Sequence, residues 1–194
     1  MTNLKKFLTY KGNQLTCDGV PLSDLAAQHG TPLFVYSADA LRTNFRRVAR
    51  AFSAAKPLVA YSVKANSNGA ILRVLAAEGA GFDIVSANEL RRVLNAGVSP
   101  DRIIFAGVGK TADEMRAGLK ARVREFNVES PAEAERLNTV ALSMKTVAPV
   151  AIRVNPDVDP KTHKFINTGK KENKFGMSLE FARTLATRIK ELPG

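Results

Sequence analysis

The sequence predicts an α/β protein of repeated βα units preceded by a small β-rich leader, and three observations predict it. From about Leu58 onward, short β-branched runs alternate with amphipathic stretches at a spacing of roughly 20 to 25 residues, the pattern of consecutive βα units. The runs read as apolar on both sides, as strands of a helix-covered parallel sheet do. Residues 1–36 differ: their strand-like pieces are broken by Gly12, Gly19, Pro21 and Pro32.

In chain order, the leader offers LKKFLTY, QLTC and PLFVY as strands and LSDLAAQHG as a short helix. An amphipathic helix follows from Asp39 to about Ala54, with Leu41, Phe45, Val48 and Phe52 on one face. Strands are then expected over Leu58–Ala65, Phe82–Ser86, Arg102–Gly107, Arg124–Ser130 and Val150–Pro156. Helices are expected over residues 71–79, 87–97, 112–121, 131–144 and 178–192, their apolar residues recurring at helical spacing, as in Leu90, Val93 and Leu94 or Phe181, Leu185 and Ile189. Consecutive right-handed βα units build either a barrel or a doubly wound sheet, and the pattern leaves both open. A closed (β/α)8 barrel needs eight strands and about 250 residues. The Leu192-Pro193-Gly194 turn falls directly after a helix, where a further strand would begin, so the expectation is that this chain is the N-terminal portion of something longer.

With 194 residues and 45% hydrophobic content there is material for one domain with a substantial core, or one domain and part of another. The single cysteine, Cys17, excludes an intrachain disulfide framework and fits a reducing, cytoplasmic compartment. No run approaches the ~20 apolar residues that span a bilayer, and the N-terminus lacks a signal-peptide apolar core. The net charge of +11 invites nucleic acid or a membrane surface as partner. However, Arg46, Arg47, Arg91, Arg92, Lys120 and Arg122 are scattered without interleaved aromatics, which describes a solvated surface.

The sharpest motif is YSVKAN, with Lys64 at the C-terminal end of an apolar strand. In βα proteins these strand ends line the active site, whereas a lysine buried unpaired inside a strand costs several kcal/mol. Apolar surroundings favour an amine that attacks an aldehyde to form a Schiff base; a strand-end lysine reaching solvent is the plain alternative. In GFDIVS, Asp83 and Ser86 belong to the same rim, and the Ser86–Glu89 spacing is that of a capping box. A capping role leaves Asp83 unexplained, and a carboxylate beside a cationic lysine adduct is favourable. AGVGKT resembles a phosphate-binding loop but fails its spacing, because Ile104 stands where the first glycine belongs. Thr111 is better read as a helix cap with Glu114 as its box partner. The polar stretch from Asp157 to Gly176 leaves the same rim and is long for a mere connection. His163 within it lacks companions at metal-ligand spacing, no Gly-x-Ser-x-Gly elbow is present, and Cys17 sits in the leader, away from the rim.

Taken in order and spacing, YSVKAN, GAGFDIVSANEL, IIFAGVGKT, FNVES, RVNPDVDPKTH and NTGKKENKFG resemble the diaminopimelate decarboxylases over most of the span from Leu33 to Gly176. Alanine racemases share a VKAN-type lysine motif but continue differently after Asn66, and ornithine decarboxylases lack the RVNPDVDPKTH wording. The resemblance implies a (β/α)8 TIM-type barrel, here an incomplete N-terminal portion over residues 37–194. It further implies that the leader, residues 1–36, helps to build a second β domain. Lys64 would hold pyridoxal 5'-phosphate, Asp83 and Arg153 would surround it, and Lys174 would stand at a homodimer interface. The implied reaction is decarboxylation of meso-2,6-diaminopimelate to L-lysine, with a small amino acid as substrate and neither nucleic acid nor membrane as partner. The family's ring-stacking histidine, glycine-rich phosphate loop, acidic pyridine partner and substrate cysteine would lie beyond residue 194, so the 194-residue chain alone is expected to be inactive or nearly so. Decarboxylation or racemisation of another basic amino acid, and a non-catalytic pyridoxal-phosphate homeostasis barrel, are the rival readings.

Overall fold

The structure is a computed structural model and describes residues 7–156 and 175–194. The leader forms an antiparallel sheet in the order β1 (Leu8–Lys11), β2 (Gln14–Cys17), β3 (Val20–Pro21), followed by α1 (Leu22–His29). PLFVY is not a strand. Among the described residues no strand pairs with Leu33, Phe34, Val35 or Tyr36, which are exposed, Phe34 at 86%; Val20–Pro21 takes the third place in the sheet instead.

After α2 (Ala38–Ala51), five parallel strands stand in sequential order: β4 (Ala60–Ser62), β5 (Gly81–Ile84), β6 (Ile103–Phe105), β7 (Glu125–Val128) and β8 (Val150–Ile152). Between them run α3 (Gly69–Ala77), α4 (Ala87–Asn95), α5 (Ala112–Ala121) and α6 (Pro131–Ser143), and α7 (Leu179–Ile189) comes last. The repeated βα reading therefore holds, with strands shorter than the apolar runs suggested.

One expectation holds only in part. β6 and β8 are apolar on both faces, as expected, but β4, β5 and β7 carry polar side chains on the face away from the helices. Pairing aligns Phe82 with Ile103, Ile84 with Phe105, and Phe105 with Phe126, and all of these are fully buried. The alternate row runs Ser62, Asp83, Ile104, Glu125, and its members are only half-buried. Because side chains alternate across a strand, one residue's shift separates the buried core row from this half-buried, mostly polar row.

The core lies between the sheet and the helices. The Phe105 and Phe126 rings stack with centroids 5.7 Å apart, and Tyr61 meets Phe82 edge-on. Inside α5, Gly118 lets the helix approach: a Cβ there would lie 2.6 Å from Phe126 Cζ. The loss of helix propensity at an interior glycine, about 1 kcal/mol, is offset by that contact. Leu90, Val93 and Leu185 face inward as their spacing predicts. Phe181 is exposed, however, and on α2 only Leu41 and Phe45 pack against the core while Val48 and Phe52 do not. Arg46 Nε and Nη2 donate to the Glu78 carboxylate at 2.6 and 2.7 Å, tying α2 to the end of α3.

The βα junctions are built on recurrent caps. Thr111 and Glu114 form the full capping box predicted for α5. At α4, Ser86 Oγ accepts from the Glu89 N–H, but the Glu89 carboxylate accepts from Val85 N–H at 2.7 Å rather than from Ser86. The same device recurs at α6, where Ser130 caps Glu133 and Glu133 accepts from Glu129 N–H at 2.8 Å. These carboxylates satisfy backbone donors of the loops that leave the strand ends.

Candidate active site

A cavity of about 850 Å³ opens at the C-terminal ends of the parallel strands, lined by Lys64, Asp83, Asn127, Arg153 and Phe175 among others. The three cofactor-binding residues expected from the sequence, Lys64, Asp83 and Arg153, thus share one cavity although 89 residues separate the first from the last. Lys174 and His163 lie outside the described residues, as does nearly all of the Asp157–Gly176 stretch.

Lys64 sits not in the strand but in a one-turn 3-10 segment, Val63–Ala65, just after β4. Its neighbour Val63 is fully buried, which plugs the turn into the core and directs Lys64 outward. Tyr61 donates from its hydroxyl to the Asn66 carbonyl at 3.2 Å, closing the turn. Burial raises the Tyr61 phenol above its ordinary range, so it remains a donor at neutral pH. Lys64 is exposed, and among the described residues its amine has no hydrogen-bond or ion-pair partner. It is thus exposed, not buried as the apolar strand suggested.

Asp83 lies beside Ser62 in register across β4 and β5, and Ser62 Oγ donates to Asp83 Oδ2 at 3.1 Å. Arg153, one residue beyond β8, donates from Nη1 to Glu129 Oε1 at 2.8 Å, and its guanidinium lies 4.9 Å from the centre of the Phe175 ring.

Glu129 was not singled out by the sequence, nor was Lys110 given a role. Lys110 is buried, with Nζ donating to the Gly107 and Asn127 carbonyls at 2.7 and 2.8 Å and meeting Glu133 Oε1 at 2.6 Å. It braces two strand ends from within, and the Gly-Lys-Thr of AGVGKT has a structural role there. Glu114 is held below the ordinary glutamate range: burial pushes it up, but N–H donors at Thr111 and Ala87, the Thr111 hydroxyl and nearby Lys110 more than compensate. Cys17 is buried in the leader, and burial together with Asp18 raises its thiol, which disfavours the thiolate. Among the described residues no three His, Cys, Asp or Glu side chains group as metal ligands do.

An exposed amine, a carboxylate oriented by a hydroxyl and a braced guanidinium around one cavity suit an anionic aldehyde. The volume is within the roughly 300–1,000 Å³ typical of cofactor pockets. The family model described as "Pyridoxal-dependent decarboxylase, pyridoxal binding domain" matches residues 38–193, and the chain belongs to that family. It is 50% identical over 184 residues to the diaminopimelate decarboxylase of Pseudomonas aeruginosa, which covers 95% of this chain and 44% of that protein. The crystal structure of diaminopimelate decarboxylase from M. jannaschii in co-complex with L-lysine superposes with a TM-score of 0.89 at 37% identity, covering 97% of this chain and 45% of that one. The Helicobacter pylori diaminopimelate decarboxylase complexed with L-lysine gives 0.86 at 41% identity, over 89% and 44%. The chain spans less than half the length of these relatives. Of the two architectures left open by the strand pattern, the fold is the TIM-type barrel of these decarboxylases, represented here by five of its parallel strands.

Proposed function

We propose that this chain supplies the cofactor-binding lysine and its surroundings to an enzyme that decarboxylates meso-2,6-diaminopimelate to L-lysine. The observation that carries the reading is the convergence of Lys64, Asp83 and Arg153 on one cavity at the strand ends of a pyridoxal-binding domain. The substrate is supported by 50% identity to a diaminopimelate decarboxylase and by two relatives crystallised with L-lysine.

When bound, pyridoxal phosphate supplies an electron sink for the pair left on the substrate's α-carbon as CO2 departs. Lys64 would hold the cofactor through its side-chain amine. Asp83, kept in orientation by Ser62, would set a negative charge beside the group held at Lys64. Arg153 offers a fixed, planar set of donors to an anionic or acceptor atom of the ligand. Tyr61 limits the motion of the turn that carries Lys64.

Residues 1–36 belong, in this proposal, to a second β domain, while residues 37–194 belong to the barrel. The leader's own antiparallel sheet and a family match that begins at residue 38 support this division. Homodimer formation with Lys174 at the interface rests on the sequence resemblance. A cytoplasmic location is proposed from the lone cysteine; among the described residues no helix is long and apolar enough to cross a membrane.

Reduction with borohydride in the presence of pyridoxal phosphate, followed by peptide mapping, tests the cofactor reading. A label concentrated on Lys64 and absent from Lys64→Ala is expected, and label spread evenly over many lysines would overturn it. CO2 release from meso-diaminopimelate, ornithine and arginine by the protein that carries this chain tests the substrate; preference for ornithine or arginine would reject diaminopimelate.

A further inference from the structure

We propose that Glu129 is a positioning residue of the cofactor cavity: one buried carboxylate that orients Arg153 and anchors the chain at Phe175–Met177. The inference rests on the reading of Lys64 and Arg153 as cofactor-binding residues.

Glu129 directly follows β7 and is 7% exposed. A carboxylate so placed requires donors at its oxygens, and both have one. Oε1 accepts from Arg153 Nη1 at 2.8 Å and Oε2 from the Gly176 N–H at 3.1 Å, from partners 24 and 47 residues further along the chain. The Phe175 ring lies against the same guanidinium, so Arg153 is held between a carboxylate and an aromatic face.

The backbone completes the anchor. Met177 N–H donates to the Arg153 carbonyl at 3.0 Å, and Asn155 N–H donates to the Met177 carbonyl at 2.7 Å. Gly176 has φ +71°, and a Cβ there would lie 2.9 Å from the Arg153 carbonyl oxygen, so the approach needs glycine. Charge follows the same logic. Paired with Glu129, Arg153 enters the cavity as an oriented donor close to neutral as a pair, not as a bare cation. Arg153 lines the cavity and Glu129 does not, so Glu129 acts through Arg153.

Glu129→Gln keeps the size but removes the charge from both contacts and turns an amide NH2 toward one of the two donors, so one bond is lost and the other weakened, and both readouts respond. In the cofactor-free chain, amide hydrogen exchange at Gly176 and Met177 is expected to speed up about tenfold; unchanged exchange would overturn the anchor. Cofactor affinity, read from borohydride-trapped label at Lys64 against pyridoxal phosphate concentration, is expected to weaken about tenfold, the scale of one charge-assisted hydrogen bond. In an Arg153→Met background the same substitution is expected to change affinity by less than about twofold, because its effect passes through Arg153. Equal losses in the two backgrounds would mean that Glu129 acts on the fold alone and would reject the proposal. Glu129→Asp keeps the charge and shortens the reach; it is expected to move both readouts in the same direction by less, and it serves if Glu129→Gln does not fold. A wild-type chain with no Lys64-selective label would instead sink the cofactor reading, while the exchange measurement would still decide the anchor.

Discussion

Lys110 shows most directly what a single residue does here. Its ammonium is surrounded by two strand-end carbonyls and the Glu133 carboxylate, and the Lys110 side chain is only 1% exposed. Removing one partner of a buried ion pair strands the other, at a cost of about 3–5 kcal/mol. Lys110→Met is therefore expected to lower unfolding free energy by that amount in urea titrations, and adding Glu133→Gln is expected to restore part of it; a double variant less stable than the single one would contradict the pairing. Tyr61→Phe removes only the bond to the Asn66 carbonyl, a loss of about 0.5–1.5 kcal/mol. Its distinguishing effect is slower labelling of Lys64, read from the rate of borohydride trapping. At this scale the motifs were legible in part: Lys64 and Asp83 stand out because a charge at the end of an apolar run is anomalous. Glu129 and Lys110 do not, since nothing along the chain tells a buried, partnered charge from one in solvent.

Among the elements, α5 was read to the residue because its stop and start are local chemistry. Thr111 and Glu114 close a capping box over four residues, and the helix ends where Arg122 adopts a left-handed conformation. Thr111→Ala is expected to cost about 0.5–2 kcal/mol, measured by thermal or urea unfolding. The carboxylate adds a pH dependence with a definite sign. Glu114 is held below its ordinary value in the folded chain, so its contribution is complete above the unfolded value of about 4.3 and is lost as the pH falls through the lower, folded value. Glu114→Gln is expected to flatten the fall in melting temperature below about pH 4.3, and a variant with the wild-type slope would count against this. By contrast PLFVY, with the right composition for a strand, pairs with no strand among the described residues; strand formation depends on a partner that composition does not reveal.

For the molecule as a whole, among the described residues β4 and β8 are the outer strands of the five-stranded sheet, with only the Val154–Met177 bridge just past β8, and exposed apolar residues gather at Leu33–Tyr36 and at Val48 and Phe52 of α2. Unpaired strand edges and clustered apolar surface favour self-association. Sedimentation of the purified chain is expected to show a weight-average mass that rises with concentration, and a single monomer species throughout would contradict it. The net charge of +11 opposes association, so added salt should strengthen it.

Strand and helix order, the capping residues and the rim position of Lys64 were readable along the chain because each depends on neighbours within a few residues. Which face of each strand is polar, which cation meets which carboxylate, and how Glu129 reaches both Arg153 and Gly176 became visible only on folding. Those contacts join residues 24 and 47 positions apart, and a one-residue change of register would have sent each side chain to the opposite face of the sheet.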